Sequence, residues 1–137
     1  MIGLFQITEV LQTVNIYDEM ADTVGEFSMS GCFVEKSNCS HHTIFPGVEI
    51  YTKAGNKMML SLVEFQPGAE VEAHSHPHEQ AGIVIEGRAR FIVGDEERIL
   101  EPGDMYLIPG GVTHQVVAMD EGAKALDIFH PIREDYL

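Results

Sequence analysis

GAEVEAHSHPHEQAGIVIEG, residues Gly68 to Gly87, is the stretch from which the rest of the chain can be read. It follows a Pro67-Gly68 turn signal and carries three donors, His74, His76 and Gln80, within seven residues. In an extended strand, residues two apart point to the same face. His74 and His76 can therefore reach one ion side by side. Pro77 has no N–H for a ladder and kinks the strand, which lets Gln80 re-enter from the next one. A second stretch, GDMYLIPGGVTH from Gly103 to His114, supplies another histidine. Pro109-Gly110-Gly111 reads as a turn, and His114 stands three residues beyond it, at the start of a strand.

The pattern Gly68-x5-His74-x-His76-x3-Gln80-x6-Gly87 resembles the first motif of the cupins. Gly103-x5-Pro109-x-Gly111-x2-His114 resembles the second, with 15 residues between Gly87 and Gly103. The likeness extends over roughly residues 46 to 132. Two positions depart from the family pattern: Gln80 stands where a Glu is usual, and Ala118 where an Asn is usual. The resemblance implies an all-β fold, the cupin jelly-roll β-barrel or double-stranded β-helix. It also implies a metal held by His74, His76, Gln80 and His114.

The residues beyond the motifs agree with an all-β reading. From Val48 onward, strands are expected over 48–53, 57–65, 70–75, 79–86, 88–93, 96–101, 104–108, 112–119 and 123–130. Gly/Pro turn signals separate them, including Gly87, Gly94-Asp95 and Glu121-Gly122. Short strands at even spacing predict a sandwich or barrel. No strand alternates with a helix, which argues against a parallel sheet. A two-sheet jelly roll leaves a mouth for a site.

At 137 residues the chain reads as one domain. Apolar residues make up 45% and charged residues 22%, a soluble, globular composition. The net charge of −14 argues against nucleic acid and anionic membrane as partners, since both need a basic footprint. No apolar run approaches the roughly 18 residues of a membrane span, and no secretory signal is visible. Cys32 and Cys39 do not form a disulfide framework, so a cytoplasmic protein with reduced thiols is expected.

The N-terminal part differs from the rest. Leu4, Ile7, Leu11 and Val14 recur at helical spacing. Residues 1–40 are expected to form a helical arm and loop, packing on the barrel (41–137) or on a partner subunit, with one short strand near Phe33. Cys39, His41 and His42 are expected on an exposed edge strand, although the same three residues are also a small donor cluster. A homodimer joined at a barrel edge is expected, because open sheets must hide their edges.

Parity places further candidates. Ala123, Ala125, Asp127 and Phe129 share one face of the last strand; if that face is inward, Asp127 is a carboxylate in an apolar pocket with a raised pKa. If the other face is inward, Asp127 lies in water. Arg133 can clamp a carboxylate bidentately or pair at the surface with Glu134 or Asp135. Further candidates are His78 as a rim residue, Glu79 in place of Gln80 if the kink rotates the strand, and Tyr106 as core or as pocket lining.

Three histidines and an amide leave a divalent ion its full charge. Such ligands suit Ni, Zn, Fe, Mn, Co or Cu and favour polarising a substrate oxygen. HSHPHEQ, the PGD…IPGGVTH turn and the tail LDIFHPIREDYL together resemble the small cupins that open unsaturated monouronates from pectin and alginate, the KdgF group. That resemblance implies a uronate ring-opening and ketonising isomerase. It implies Asp127 and Arg133 as the functional pair, and a sugar acid as the small-molecule substrate. A metal-dependent lyase or dioxygenase on a small organic acid, and a non-catalytic binding cupin, are the alternatives.

Overall fold

The computed structural model describes residues 31–137. The amphipathic pattern from Leu4 to Val14, and the first thirty residues of the expected arm, lie outside the described residues. A 3-10 turn at Lys36–Asn38 precedes eight strands: β1 (Ser40–Phe45), β2 (Val48–Ala54), β3 (Met59–Phe65), β4 (Glu70–His74), β5 (Glu79–Val93), β6 (Glu96–Leu100), β7 (Met105–Ile108) and β8 (His114–His130). A second 3-10 turn, Glu134–Tyr136, closes the chain. Among the described residues, no helix is long and apolar enough to cross a membrane. The short strand expected near Phe33 is absent. Phe33 is almost fully exposed, and an isolated aromatic with no apolar alternation beside it has no face to bury.

All pairings are antiparallel, and two long strands organise them. The C-terminal half of β8 pairs with β3 and with the N-terminal half of β5. Its N-terminal half pairs with β4 and with the C-terminal half of β5. Strands β1, β2 and β3 extend the first layer beyond β8, and β7 extends it beyond β5. Strand β6 borders β5 in the second layer. This wrapping of one pair of strands through two layers is the expected double-stranded β-helix.

Residues 79–86 and 88–93 were expected as separate strands, as were 112–119 and 123–130. Each pair is instead one continuous strand with a bend. The register between β5 and β8 shifts at Val84/Glu86 and again at Gly87/Ala89. Gly87 takes φ +67° there, and a Cβ on it would fall 2.0 Å from the carbonyl oxygen of Gly122. Only glycine permits both the left-handed backbone and that approach. In the sequence, a glycine that bends a strand looks the same as one that ends it.

Alternation along the strands fills the interior. Val48, Ile50, Thr52 on β2 and Met59, Ser61, Val63, Phe65 on β3 are buried, while the residues between them face outward. With Val71, Val84, Ala89, Phe91, Val116 and Ala118 the apolar members form one core. Full burial of a Val, Ile or Phe side chain is worth roughly 1.5–3 kcal/mol. Ala118, at the position of the family's usual Asn, belongs to this core rather than to the site. The tail turns back over β1 and β2, where the Tyr136 carbonyl accepts the Thr52 hydroxyl at 2.6 Å and lies 3.3 Å from His42 Nε2. That tether positions Arg133.

Candidate metal centre

His74 ends β4 and stands directly opposite His114, the first residue of β8. His76 lies just beyond β4, and its carbonyl accepts the Gly111 N–H at 2.8 Å. The Pro109-Gly110-Gly111 turn thus holds the loop that carries His76. Gln80 is the second residue of β5 and is buried at 7% exposure. One ligand atom from each of His74, His76 and His114 lies within 4.8 Å of the others, the only such His/Cys/Asp/Glu group among the described residues.

Each histidine ring is oriented by a backbone carbonyl. His74 Nδ1 lies 2.8 Å from Glu72 O, His76 Nδ1 3.0 Å from His78 O and His114 Nδ1 2.8 Å from Val112 O. A carbonyl can only accept, so each Nδ1 carries the proton and each Nε2 is left as a bare donor lone pair. His114 Nε2 is buried and has no hydrogen-bond partner. His76 Nε2 faces Gln80 Oε1 at 3.1 Å, so two acceptors confront each other. A cation between them relieves both conditions, and the donor set therefore fits a divalent transition metal. Burial pushes the His76 pKa down to about 4, helped by the charges of Arg133 and His114. Burial also lowers that of His114. Both rings are thus held in the neutral form that ligates metal.

The last strand presents the inward face that includes Asp127. Asp127 is 7% exposed, with Ala125 and Phe129 buried on either side. Burial raises its pKa from 3.8 to about 6, opposed by hydrogen bonds from Tyr106 and Gln80 and by the charge of Arg133. The Tyr106 hydroxyl donates to Asp127 Oδ1 at 2.5 Å, and burial followed by that carboxylate pushes the phenol well above its ordinary range. Gln80 therefore turns its amide N–H towards Asp127 and its carbonyl oxygen towards His76. His74, Gln80, His114, Asp127 and Arg133 line one cavity, together with Ser61, Tyr106, Phe129 and Tyr136.

Tyr106 is both pocket lining and core: it faces the cavity and packs on Phe91, ring centroids 4.5 Å apart. Its ring lies across Gly82, where a Cβ would come 2.2 Å from Tyr106 Cζ. A glycine inside a strand is a sign of close approach, and Gly82 was the one signal available. Arg133 makes the expected pairing with Asp135, but from a buried position rather than at the surface. It is buried on the cavity, 3.9 Å from the Tyr136 ring centroid, and Asp135 takes its Nε and Nη2 at 3.2 and 2.7 Å. Glu79 is exposed opposite His130, so the kink does not rotate the strand. His78 contributes its carbonyl to orient His76. His41 sits on the edge strand, stacked on Tyr51 and 2.7 Å from Glu49; with Cys39 and His42 it forms no metal cluster.

A Cupin domain model matches residues 61–129. This is half of the chain, and the chain belongs to the cupins. Within that family its similarity runs to KdgF. The pectin degradation protein KdgF of Dickeya dadantii is 36% identical over 81 residues, covering 58% of this chain and 74% of that protein. The structure of KdgF from Halomonas sp. superposes with a TM-score of 0.71 at 30% identity, over 79% of this chain and 100% of that one. An RmlC-like cupin from Shewanella frigidimarina NCIMB 400 gives the same TM-score at 28% identity, over 79% and 97%.

Proposed function

We propose that this cupin opens 4,5-unsaturated monouronates from pectin or alginate breakdown and ketonises them to linear keto acids. One observation carries the reading: a buried carboxyl with a pKa of about 6, Asp127, lies on the same cavity as His74, His114 and Arg133. The similarity to KdgF supports the substrate class.

When bound by His74, His76, Gln80 and His114, a divalent ion supplies Lewis acidity towards a substrate oxygen. The remaining work belongs to side chains. The net reaction moves one proton: the hemiacetal hydroxyl loses it, the ring C1–O bond breaks, and C4 gains a proton as the C5 carbonyl forms. Asp127 accepts the first proton and returns it to C4. A pKa of about 6 suits both halves of that transfer near neutral pH. Tyr106 and Gln80 hold the carboxylate in place. Arg133 pairs with the substrate carboxylate, which offsets the field of a chain with net charge −14.

The test is incubation of metal-loaded protein with unsaturated monouronates, following the C4=C5 absorbance and dissolved oxygen together. Loss of absorbance without oxygen uptake is expected. Oxygen consumption, or release of carbon dioxide, would move the assignment to a dioxygenase or a lyase.

A further inference from the structure

The inner-face row that crosses the sheet at Asp127 is polar at four of its five positions. Ladder pairing aligns Thr52, Ser61, Asp127, Gly82 and Tyr106. The row on one side is wholly apolar, with Ile50, Val63, Ala125 and Val84. Buried polar groups are normally partnered, and three of these side chains are. Thr52 donates to the Tyr136 carbonyl, and Tyr106 to Asp127. Ser61 differs. It is 1% exposed and lines the cavity, and its Oγ has no hydrogen-bond partner. Strand β3 is laddered to β2 on one edge and β8 on the other, so the carbonyls near Ser61 already hold N–H donors.

An unpaired buried hydroxyl is destabilising to a protein at rest. We propose that Ser61 contacts substrate: its hydroxyl bonds a hydroxyl group of a sugar acid held between the histidines, Asp127 and Arg133. The proposal rests on the sugar-acid reading above and adds a recognition element to it. Directly paired residues in a sheet stand about 5 Å apart, so a ligand atom between Ser61 and Asp127 meets both. A ligand hydroxyl can donate to the Asp127 carboxylate and accept from the Ser61 O–H. A ligand carboxylate has no proton to give and would face a like charge, so it belongs with Arg133. A methylene would leave both groups unsatisfied. The ligand class selected is an acid that carries a hydroxyl apart from its carboxylate.

The experiment compares the metal-loaded wild-type protein with Ser61→Ala and Ser61→Thr. Calorimetric titration uses a saturated monouronate, which cannot react, and cyclohexanecarboxylate, which has no hydroxyl. Ser61→Ala should bind the uronate roughly fivefold to tenfold more weakly, as for one lost hydrogen bond, and cyclohexanecarboxylate unchanged. Ser61→Thr should recover part of the loss. The ligand-free melting temperature of Ser61→Ala should equal or exceed that of wild type. On an unsaturated uronate, KM should rise by the same factor with kcat little changed. Equal loss for both acids, no loss for either, a lowered ligand-free melting temperature, or a wild-type protein that binds neither acid overturns the proposal. Ser61-dependent binding of uronates without turnover sinks the ring-opening reading alone. Turnover indifferent to Ser61 sinks this inference alone.

Discussion

Replacing Asp127 by Asn should stabilise the protein and inactivate it together, and the stabilisation should depend on pH. The carboxyl is pushed up from 3.8 to about 6, chiefly by burial. That gap of about two pH units corresponds to roughly 3 kcal/mol between the folded and unfolded chains. The sign follows from the raised value. The folded state holds the proton more tightly, so the stabilising contribution is full below pH 3.8 and is lost as pH rises through about 6. Above that, the wild-type chain carries a desolvated carboxylate. Asn is nearly isosteric, cannot ionise, and keeps an oxygen to accept the Tyr106 hydroxyl. Denaturant unfolding of chelator-treated protein should therefore show Asp127→Asn more stable by up to about 3 kcal/mol near pH 8, with the advantage shrinking towards about pH 4. Turnover on an unsaturated uronate should fall roughly 10²–10⁴-fold with metal content unchanged. A variant less stable than wild type at both pH values would refute the account of Asp127 as a buried group held at a cost, and full activity would refute its role in proton transfer.

Tyr106→Phe removes a hydrogen bond that favours the carboxylate, so the acidic limb of the pH–rate profile should move upward from about pH 6. Gly82→Ala should reproduce that shift, because its Cβ would displace the ring, and should also cost roughly 1–3 kcal/mol of stability through overpacking. Gln80→Glu should keep or tighten metal binding by elemental analysis, since carboxylate is the stronger donor. It also sets a second negative charge beside Asp127, so the same limb should rise further and activity near neutral pH should change with it. Arg133→Ala should raise KM at least severalfold, with a smaller fall in kcat if the guanidinium also orients the substrate, as steady-state kinetics would show.

The histidines could be read from the sequence because their placement depends on local facts: the spacing of His74 and His76, the proline after them, and the turn before His114. Parity along the last strand grouped Asp127 with Ala123, Ala125 and Phe129 but left open which face is inward; its burial decides that. What could not be read depends on register between distant strands. Tyr106 reaches Asp127 only because Gly82, two strands' length away in the chain, leaves the ring room to lie across it. Ser61 meets Asp127 across a ladder that joins residues far apart in sequence. Neither alignment leaves a periodic mark. The bends at Gly87 and Gly122 look like strand ends in the sequence for a related reason, since glycine permits a corner and a chain reversal equally well. The edge strand β1 was foreseen only through its exposed histidines, because its one-sided burial gives little alternation to detect.

Strands β5 and β8 are bonded on both edges through both layers, and that arrangement governs how the molecule exchanges its amide protons with solvent. Ala125, for example, is paired to β3 on one side and to β5 on the other, so free exposure of its amide to deuterium requires much of the barrel to open. Amides on the solvent side of β6 or β7 face no such requirement. Deuterium uptake along β5 and β8 should therefore track global stability, while the outer strands exchange through smaller openings. Gln80, His114 and Asp127 sit on these two strands, whereas Ile44, Tyr106, Arg133 and Tyr136 line the same cavity from β1, β7 and the tail, so local opening of the cavity falls to its outer wall.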